Sequence, residues 1–404
     1  MPTWTNWVGN QSCSPAARAA PRSEDEVASL VADAAACGRC VRVAGAGHSF
    51  TPVVATDGLL LDVRGLPGIR SIDPARRRVV VGPATTIGEF GEPLWQQGLA
   101  LVNQGDIVAQ QIAGAVSTAT HGSGVRLGSF ASGVRRLRLV TGSGAVAEIG
   151  EAEPERLHAA QVAVGMLGVI TELELEVATA YRLSERVEHW SWDEAWGPFE
   201  ELARAHRHYS FFWMPSDASA ALYGLGEPGV SLADRCHVKI YDEADPSMPD
   251  SDEPRRRVGP AHVIYPMLYE PNFHELEYFV PFERGREALA AMRELMLAYL
   301  PASVFPMEVR TVGREEAFLS PSYDRDVVVI SVSGTPGTDY APYLRDVDRL
   351  LGGFDARVHW GKLHFLTREQ LFARYPRAAD FVELRRALDP DGVFLNDHLD
   401  PLFR

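Results

Sequence analysis

The chain has 404 residues, 46% of them hydrophobic and 23% charged, and its formal net charge is −15. This length favours two domains over one, and the acidic balance argues against nucleic acid or an anionic membrane as partner. The sequence has no apolar run of about 18 residues, and its first residues lack the basic and apolar regions of a signal peptide. We therefore expect a cytoplasmic protein without a membrane partner, either a monomer or a weak homo-oligomer.

The first predicted element is a helix that follows a capping box at residues 23–26, where apolar residues recur at helical spacing. It ends near Gly38, between Cys37 and Cys40. These two cysteines have the CxxC spacing, but no second pair of candidate ligands lies nearby. We expect neither a metal nor a redox function for them, and no metal site elsewhere.

Strands and helices then alternate around glycine-rich turns, which predicts an α+β fold. The predicted elements of the first part are a strand at 41–43, strands at 59–63 and 78–82, a helix at 86–97, a hairpin at 134–149 and a strand at 172–177. A proline-rich charged stretch at 242–260 predicts a surface loop. The later predicted elements are strands at 276–280, 304–312 and 327–333, and helices at 284–299 and 378–388.

The sequence VRVAGAGHSF at 41–50 runs from a strand into a glycine-rich turn. It is not a Rossmann G-x-G-x-x-G fingerprint, because Phe50 occupies the sixth position, where helix packing needs a small residue. Its glycines still permit close approach of the backbone to a diphosphate. A second stretch of small and hydroxylated residues at 114–124 has the same property, and each stretch carries a histidine beside glycine. Together they predict one extended phosphate-containing ligand.

Six motifs in this order resemble the aldonolactone oxidase and alditol oxidase group of the vanillyl-alcohol-oxidase-type flavoproteins: TNWVGN, GAGHSF, THGSG, MEVRTV, HWGK and DPDGVFLND. The resemblance implies a PCMH-type FAD-binding domain at 1–178, a mixed-sheet substrate domain at 179–370 and a C-terminal segment at 371–404 that returns to the first domain. It also implies that His48 is bonded covalently to FAD, without a second link through cysteine. The implied cofactor-binding residues are Ala44, Gly45, Ala46, Gly47, His48, Ser49, Gly105, Asp106, Gln111, Gly114, Thr118, Ala119, Thr120, His121, Ile170 and His359.

Glu308 and Arg310 are two residues apart on a predicted strand and therefore share a face. The resemblance makes this pair, together with Lys362, the catalytic and substrate-binding groups beneath the flavin. It places His359 beside them as a further substrate contact. Ser333 stands where relatives have a hydroxyl donor to the substrate, although Ser331 is an alternative on the same strand.

The stretch Asn103–Ile107 bears on the electron acceptor and the substrate. By the resemblance, Gly105 flanks the flavin and leaves room for O2, as in oxidases. Asp106 and Gln111 depart from the serines of alditol oxidases, and Asp106 is a predicted substrate contact. We therefore expect hydride transfer from an aldono-1,4-lactone to flavin N5, with O2 reduced to hydrogen peroxide.

Other functions remain open at this stage. An alditol oxidase of the xylitol or sorbitol type, or an oxidase of a polyol or sugar moiety in a natural product, would use the same scaffold. Gly105 argues against an electron-transferring dehydrogenase, and the retained catalytic residues argue against a non-catalytic sugar-binding protein. His206 and His208 show no metal-ligand spacing and are predicted to lie on the surface.

Overall fold

A computed structural model describes residues 3–226, 229–267 and 272–404 of the chain. The first twelve strands are β1 (Trp4–Thr5), β2 (Ser12–Cys13), β3 (Ala17–Ala19), β4 (Val41–Ala44), β5 (Leu59–Asp62), β6 (Ile69–Asp73), β7 (Arg78–Val81), β8 (Leu99–Ala100), β9 (Val134–Val140), β10 (Val146–Gly150), β11 (Val169–Glu176) and β12 (Ala178–Thr179). The later strands are β13 (Arg182–Ser191), β14 (His208–Met214), β15 (Arg235–Glu243), β16 (Val258–Pro260), β17 (His274–Pro281), β18 (Met307–Val312), β19 (Val327–Gly334) and β20 (Arg357–Val358).

The helices surround these strands. They are α1 (Glu24–Ala36), α2 (Gly91–Trp95), α3 (Ile112–Ser117), α4 (Pro154–Gln161), α5 (Trp192–Trp196), α6 (Phe199–Ala205), α7 (Asp217–Leu222), α8 (Ala261–Ile264), α9 (Gly285–Tyr299), α10 (Ala341–Gly352), α11 (Arg368–Arg374), α12 (Ala378–Leu388) and α13 (Asp400–Phe403). Within the described ranges, no helix is long and apolar enough to cross a membrane.

The N-terminal part contains two main sheets of different kinds. Strands β3, β5 and β4 form a parallel sheet, and β10, β9, β11, β7 and β6 form an antiparallel one. The predicted helix after Ser23 is confirmed as α1, whose first turn is capped by the Ser23 side chain. The helix predicted at 86–97 is instead a 3-10 turn at Ile87–Phe90 followed by α2. Pro93 cannot donate the backbone hydrogen bond that one continuous helix would need there.

The C-terminal part is built on an eight-stranded sheet in the order β16-β13-β15-β14-β18-β19-β17-β20. Its neighbouring strands pair antiparallel, and every residue of β14 and β19 is buried. One face packs apolar side chains such as Trp213, Val309 and Ile330 into the core shared with α9 and α10. Because side chains alternate along a strand, the residues between them point to the opposite face.

The predicted α+β fold is confirmed.

The opposite face of this sheet carries polar side chains of a kind that is usually exposed to solvent. Here these side chains are largely buried. The strand register sets Glu308 opposite Ser331, Ser331 opposite Glu277, and Ser333 opposite Glu275. We call these side chains, together with Arg310 on the same face of β18, the polar face. Polar side chains of this kind are usually exposed. Their burial therefore makes the polar face a candidate surface for binding a polar ligand.

Candidate active site

A cavity of about 450 Å³ lies between the glycine-rich loops and the polar face. Most of the site residues implied by the sequence line it, although they come from distant parts of the chain. They are Gly45, Ala46, Gly47, His48, Ser49, Gly105, Asp106, Gln111, Gly114, Thr118, Thr120, His121, Ile170, Glu308, Arg310, Ser333, His359 and Lys362. Ala44 and Ala119, which are also buried, do not line the cavity.

The two glycine-rich loops leave space where side chains would otherwise be. Gly47 has a φ of +77°, a conformation that favours glycine, and its backbone carbonyl accepts from Trp7 N–H at 3.0 Å. A Cβ on Gly45 would come within 3.2 Å of Gln111 Oε1, whereas one on Gly114 would meet no atom within 4 Å. Backbone amides of this kind can approach phosphate oxygens closely.

His48 lies at the edge of the cavity with its ring stacked on Trp7 at 5.0 Å between centroids. Its Nδ1 is buried and has no hydrogen-bond partner among the described residues. Burial, with a contribution from the nearby charge of Lys362, lowers the pKa of His48 to about 4. The imidazole is therefore neutral at physiological pH, and a ring nitrogen is available to bond to a ligand.

Arg42 is a buried cation that also lines the cavity, and sequence reasoning did not single it out. Its guanidinium donates to the backbone carbonyls of Val53, Val164, Gly165 and Phe394 at 2.7–3.1 Å. Within the described part of the chain, it forms no ion pair with a carboxylate. Burial lowers the pKa of Arg42 to about 10, so the side chain remains charged at neutral pH.

These observations fit FAD. The loops at 45–49 and 114–118 offer backbone groups to a diphosphate, and Arg42 contributes a positive charge beside the same cavity. His48 lies close enough to Lys362 for that charge to lower its pKa, and it offers a buried Nδ1 that has no hydrogen-bond partner among the described residues.

Arg310 is the centre of the polar face and contacts three carboxylates. Its guanidinium donates to Glu277, lies 3.4 Å from Glu308 and reaches Asp106 at 3.5 Å. Burial acts to lower the pKa of Arg310, but the surrounding carboxylates hold it well above its usual value. Lys239, on β15, approaches Asp106 at 3.8 Å and adds a second buried cation.

Lys362 reaches the same cavity from the segment after β20, and its ammonium group pairs with Glu275. In the strand register, the row that contains Glu308 lies next to the row that contains Glu275. Burial raises the pKa of Glu308, and the charges of Arg310 and Lys239 oppose that rise. Thus the predicted pair on β18 and the predicted lysine do converge on one cavity.

Glu277 is a fully buried carboxylate that joins the two parts of the chain. It accepts from Ser331 Oγ at 2.6 Å and lies 2.9 Å from His121 Nε2. His359 lies beside this pair, with its ring centroid 6.0 Å from that of His121. Burial acts to raise the pKa of Glu277. The charges of Arg310 and His121 nevertheless hold this pKa well below its usual value.

Gly105 lies in the loop that carries Asp106, and both residues line the cavity. A Cβ on Gly105 would come within 3.2 Å of two atoms of the Phe130 ring. A larger residue at this position would therefore press on Phe130 as well as narrow the cavity.

Sequence reasoning missed several cavity residues and misplaced one histidine. Glu275, Glu277 and Arg42 were missed because isolated charges within apolar strands belong to no motif. The signal that could have found them is a charged residue in a strand whose other residues are apolar. His208 is fully buried rather than on the surface, since its ring lies on the covered side of β14 with Nδ1 2.7 Å from the Ser123 carbonyl.

Comparisons with known families agree with this geometry. A family model described as D-arabinono-1,4-lactone oxidase matches residues 236–402, and one described as FAD binding domain matches residues 15–150. The chain is 33% identical to the L-gulono-1,4-lactone dehydrogenase of Mycobacterium tuberculosis, over 98% of both chains. It is 31% identical to the alditol oxidase of a Streptomyces species, again over 98% of both.

Solved structures share the fold at low sequence identity. A solvent-stable cholesterol oxidase superposes with a TM-score of 0.84 at 18% identity, covering 100% of this chain and 97% of that one. The 6-hydroxy-D-nicotine oxidase of Arthrobacter nicotinovorans gives a TM-score of 0.72 at 18% identity, covering 93% and 90%. Together with the full-length similarity to the curated relatives, the matches establish that the chain belongs to the aldonolactone oxidase and alditol oxidase family of FAD-dependent oxidoreductases.

Proposed function

We propose that the protein is an FAD-dependent oxidase of a neutral, sugar-derived alcohol, with an aldono-1,4-lactone as the substrate class and O2 as the electron acceptor. The observation that carries this proposal is the polar face: Glu308, Arg310 and Ser333 on the sheet and Lys362 beside it line the cavity that the FAD-binding loops also line. FAD, when bound, accepts a hydride from a substrate carbon and passes two electrons to the acceptor.

The pairing of charges favours an uncharged substrate. Glu275 is paired with Lys362, and Asp106 and Glu277 are paired with cations on the sheet. Glu308 forms an ion pair with Arg310 at 3.4 Å. No hydrogen bond to the Glu308 carboxylate is present among the described residues. Its carboxylate can therefore accept hydrogen bonds from substrate hydroxyls, while a substrate carboxylate would meet like charges.

The assignment of Arg310 and Lys362 as catalytic cations is part of the proposal and is supported by the charge that develops on the substrate oxygen. Removing a hydride from a carbinol carbon places negative charge on its oxygen unless the hydroxyl proton leaves, and a nearby cation stabilises that charge. Arg310 and Lys362 can supply this stabilisation from two separate segments. Glu308 orients Arg310, and Ser333 supplies a hydroxyl toward the sugar.

The substrate class is testable with matched compounds. The protein should be mixed anaerobically with a panel of aldono-1,4-lactones, the corresponding aldonate anions and alditols, while loss of the yellow colour is followed. Lactones should decolourise it fastest, and each aldonate should react more slowly than its own lactone because of charge repulsion. Faster decolourisation by an alditol than by every lactone would instead support the alternative function, an alditol oxidase.

The proposal includes a covalent bond between His48 and FAD. It is supported by the buried, unpaired Nδ1 of His48 and by the low pKa that keeps the ring neutral and nucleophilic. Mass analysis of proteolytic fragments should find FAD on the fragment that contains His48. His48→Ala should release its flavin on acid precipitation, whereas Trp7→Phe should retain it as a control for the ring stacking. Attachment at any other residue would contradict this assignment.

The acceptor is a separate question, because one relative is named a dehydrogenase. With Gly105, the substrate-reduced protein should react quickly with O2 and yield one peroxide per substrate. Gly105→Ala should slow this reaction more than it slows substrate oxidation. Because the added Cβ would also press on Phe130, the matched controls are Phe130→Leu and the double variant. If wild-type protein reacts slowly with O2 and quickly with an artificial acceptor, it is a dehydrogenase.

A further inference from the structure

His121 and Glu277 form a buried contact between two distant parts of the chain. His121 comes from the glycine-rich loop at 114–124, whereas Glu277 lies on β17 of the eight-stranded sheet. Both side chains are only 1% exposed. The contact therefore links the FAD-binding region to the polar face in an environment where an uncompensated polar group would be costly.

The partners of His121 determine where its protons lie. Its Nδ1 is 2.7 Å from the Gly122 carbonyl oxygen, which can only accept a hydrogen bond. Its Nε2 is 2.9 Å from Glu277 Oε1, and that carboxylate also receives hydrogen bonds from Ser331 and Arg310 on its other oxygen. These two donors, one of them a cation, favour the ionised form of the carboxylate. Both nitrogens of His121 thus face acceptors, and a neutral imidazole could satisfy only one of them.

His359, the neighbouring ring, has the opposite arrangement. The Gly361 backbone N–H donates to His359 Nδ1 at 3.0 Å, so this nitrogen carries no proton and the ring proton is on Nε2. Burial lowers the pKa of His359 to about 3, which agrees with a neutral ring. Among the described residues, the side chains packed around His121 include the Glu277 carboxylate, the neutral ring of His359 and the Phe279 ring, and Arg310 contacts the other side of that carboxylate.

We propose that His121 carries protons on both ring nitrogens and forms an ion pair with Glu277, and that this pair positions Arg310 together with Glu308. Glu277 holds Arg310 and Ser331 through one oxygen while His121 fixes the other oxygen. If the carboxylate rotated, it would lose its hydrogen bond to His121 or its hydrogen bonds to Arg310 and Ser331. The same arrangement leaves neither nitrogen of His121 free for a metal ion, although the atoms of His121, Glu277 and His359 lie within 4.8 Å of one another.

The proton state is testable without any substrate. Nitrogen-15 NMR of the cofactor-loaded, histidine-labelled protein should show two protonated nitrogens for His121 near pH 7.5, with His121→Asn used to assign the signals. Glu277→Gln should convert His121 to a neutral ring. Glu275→Gln, two residues away on the same face, should leave the His121 signals unchanged. A neutral His121 in the wild-type protein, or a stoichiometric metal ion bound by this cluster, would overturn the proposal.

The positioning role rests on the proposed function and is tested separately by a double-mutant cycle. Glu277→Gln should slow anaerobic substrate oxidation with the best substrate of the panel, with a smaller change in apparent affinity. In the Arg310→Lys background the same substitution should have little further effect, because the group that it positions is already altered. Fully additive effects would contradict positioning through Arg310. If no substrate of the panel reacts, the proposed function fails, while the NMR result still decides the ion pair.

Discussion

At the scale of single residues, Arg310 and Lys362 illustrate how one cavity can hold cations without attracting anions. Arg310 is surrounded by Asp106, Glu277 and Glu308, and Lys362 is paired with Glu275. Each cation is therefore fixed in place and neutralised before substrate arrives. Preorganised charge of this kind stabilises the transition state more than the ground state, since it need not reorganise during reaction.

We expect Arg310→Ala and Lys362→Ala to act mainly on the rate of substrate oxidation. The loss of one such donor typically costs about 3–4 kcal/mol, or a factor of about 10²–10³ in rate. Glu308→Ala should act more on apparent affinity, because its free oxygen is available to substrate hydroxyls. Anaerobic stopped-flow measurements over a series of lactone concentrations up to saturation separate the limiting rate from the apparent affinity. Wild-type rates in both cation variants would show that the catalytic groups lie elsewhere.

Arg42 supports a second residue-scale prediction. Its charge is compensated by four backbone carbonyls and by no carboxylate in the described ranges. In a His48→Ala background, where flavin is exchangeable, Arg42→Met should weaken binding of FAD more than binding of riboflavin, which lacks the diphosphate. Arg42→Lys keeps the charge but loses several hydrogen bonds, and should retain part of the difference. Equal losses for both ligands would indicate a purely structural role.

The sequence predicted some of these residues better than others for physical reasons. His48, Glu308, Arg310 and Lys362 belong to contiguous motifs, so the resemblance located them, and the structure brings all four to one cavity. Glu277 was missed because its role depends on pairing between strands that are far apart in sequence. Ala44 and Ala119 were predicted to contact the cofactor, but they do not line the cavity. Local backbone angles determine which way such small side chains point, and residue spacing does not reveal these angles.

At the scale of elements, the register of β17, β18 and β19 determines the polar face. Shifting one of these strands by a single residue would exchange its polar and apolar faces. The strands themselves were predictable from their apolar content, and β18, β19 and α9 lie close to the predicted positions. Their neighbours in the sheet were not predictable, since strand order places β18 between β14 and β19 and so depends on contacts distant in sequence.

The turn after β18 supports an element-scale prediction about how the two parts of the chain hold together. Glu315 is buried and accepts hydrogen bonds from Ser129 N–H and Oγ across the boundary, and from Ser320 and Ser322 within its own turn. Glu315→Ala leaves these donors unsatisfied and should destabilise the protein by at least about 3 kcal/mol.

Urea unfolding of the cofactor-loaded protein provides the measurement, and the next residue along provides the control. Glu316 has a side chain that is 73% exposed, and among the described residues its one ion pair is with His158. Glu316→Ala should change the free energy of unfolding by less than about 0.5 kcal/mol. Similar effects of the two substitutions would mean that Glu315 does not hold this boundary together.

At the scale of the whole molecule, buried histidines should make stability depend on pH. Burial lowers the pKa of His208, His237 and His364 to about 3 and that of His398 to about 4, from an ordinary value of 6.5. None of the four lines the cavity. Below pH 6.5 the unfolded chain binds protons that the folded chain does not, so stability falls as pH decreases toward these folded-state values.

The slope of this loss should depend on the number of such histidines. Each one can steepen the dependence by up to about 1.4 kcal/mol per pH unit between its folded and unfolded pKa values. The substitution His364→Phe removes one titrating group while keeping an aromatic ring against Trp360. The free energy of unfolding of this variant should therefore fall less steeply than that of wild type from about pH 6 to about pH 4.5. Above about pH 7 the difference between variant and wild type should be constant with pH, because a neutral histidine no longer contributes. Urea unfolding at a series of pH values measures both regions, and parallel curves throughout the acid range would show that His364 is not buried in its neutral form.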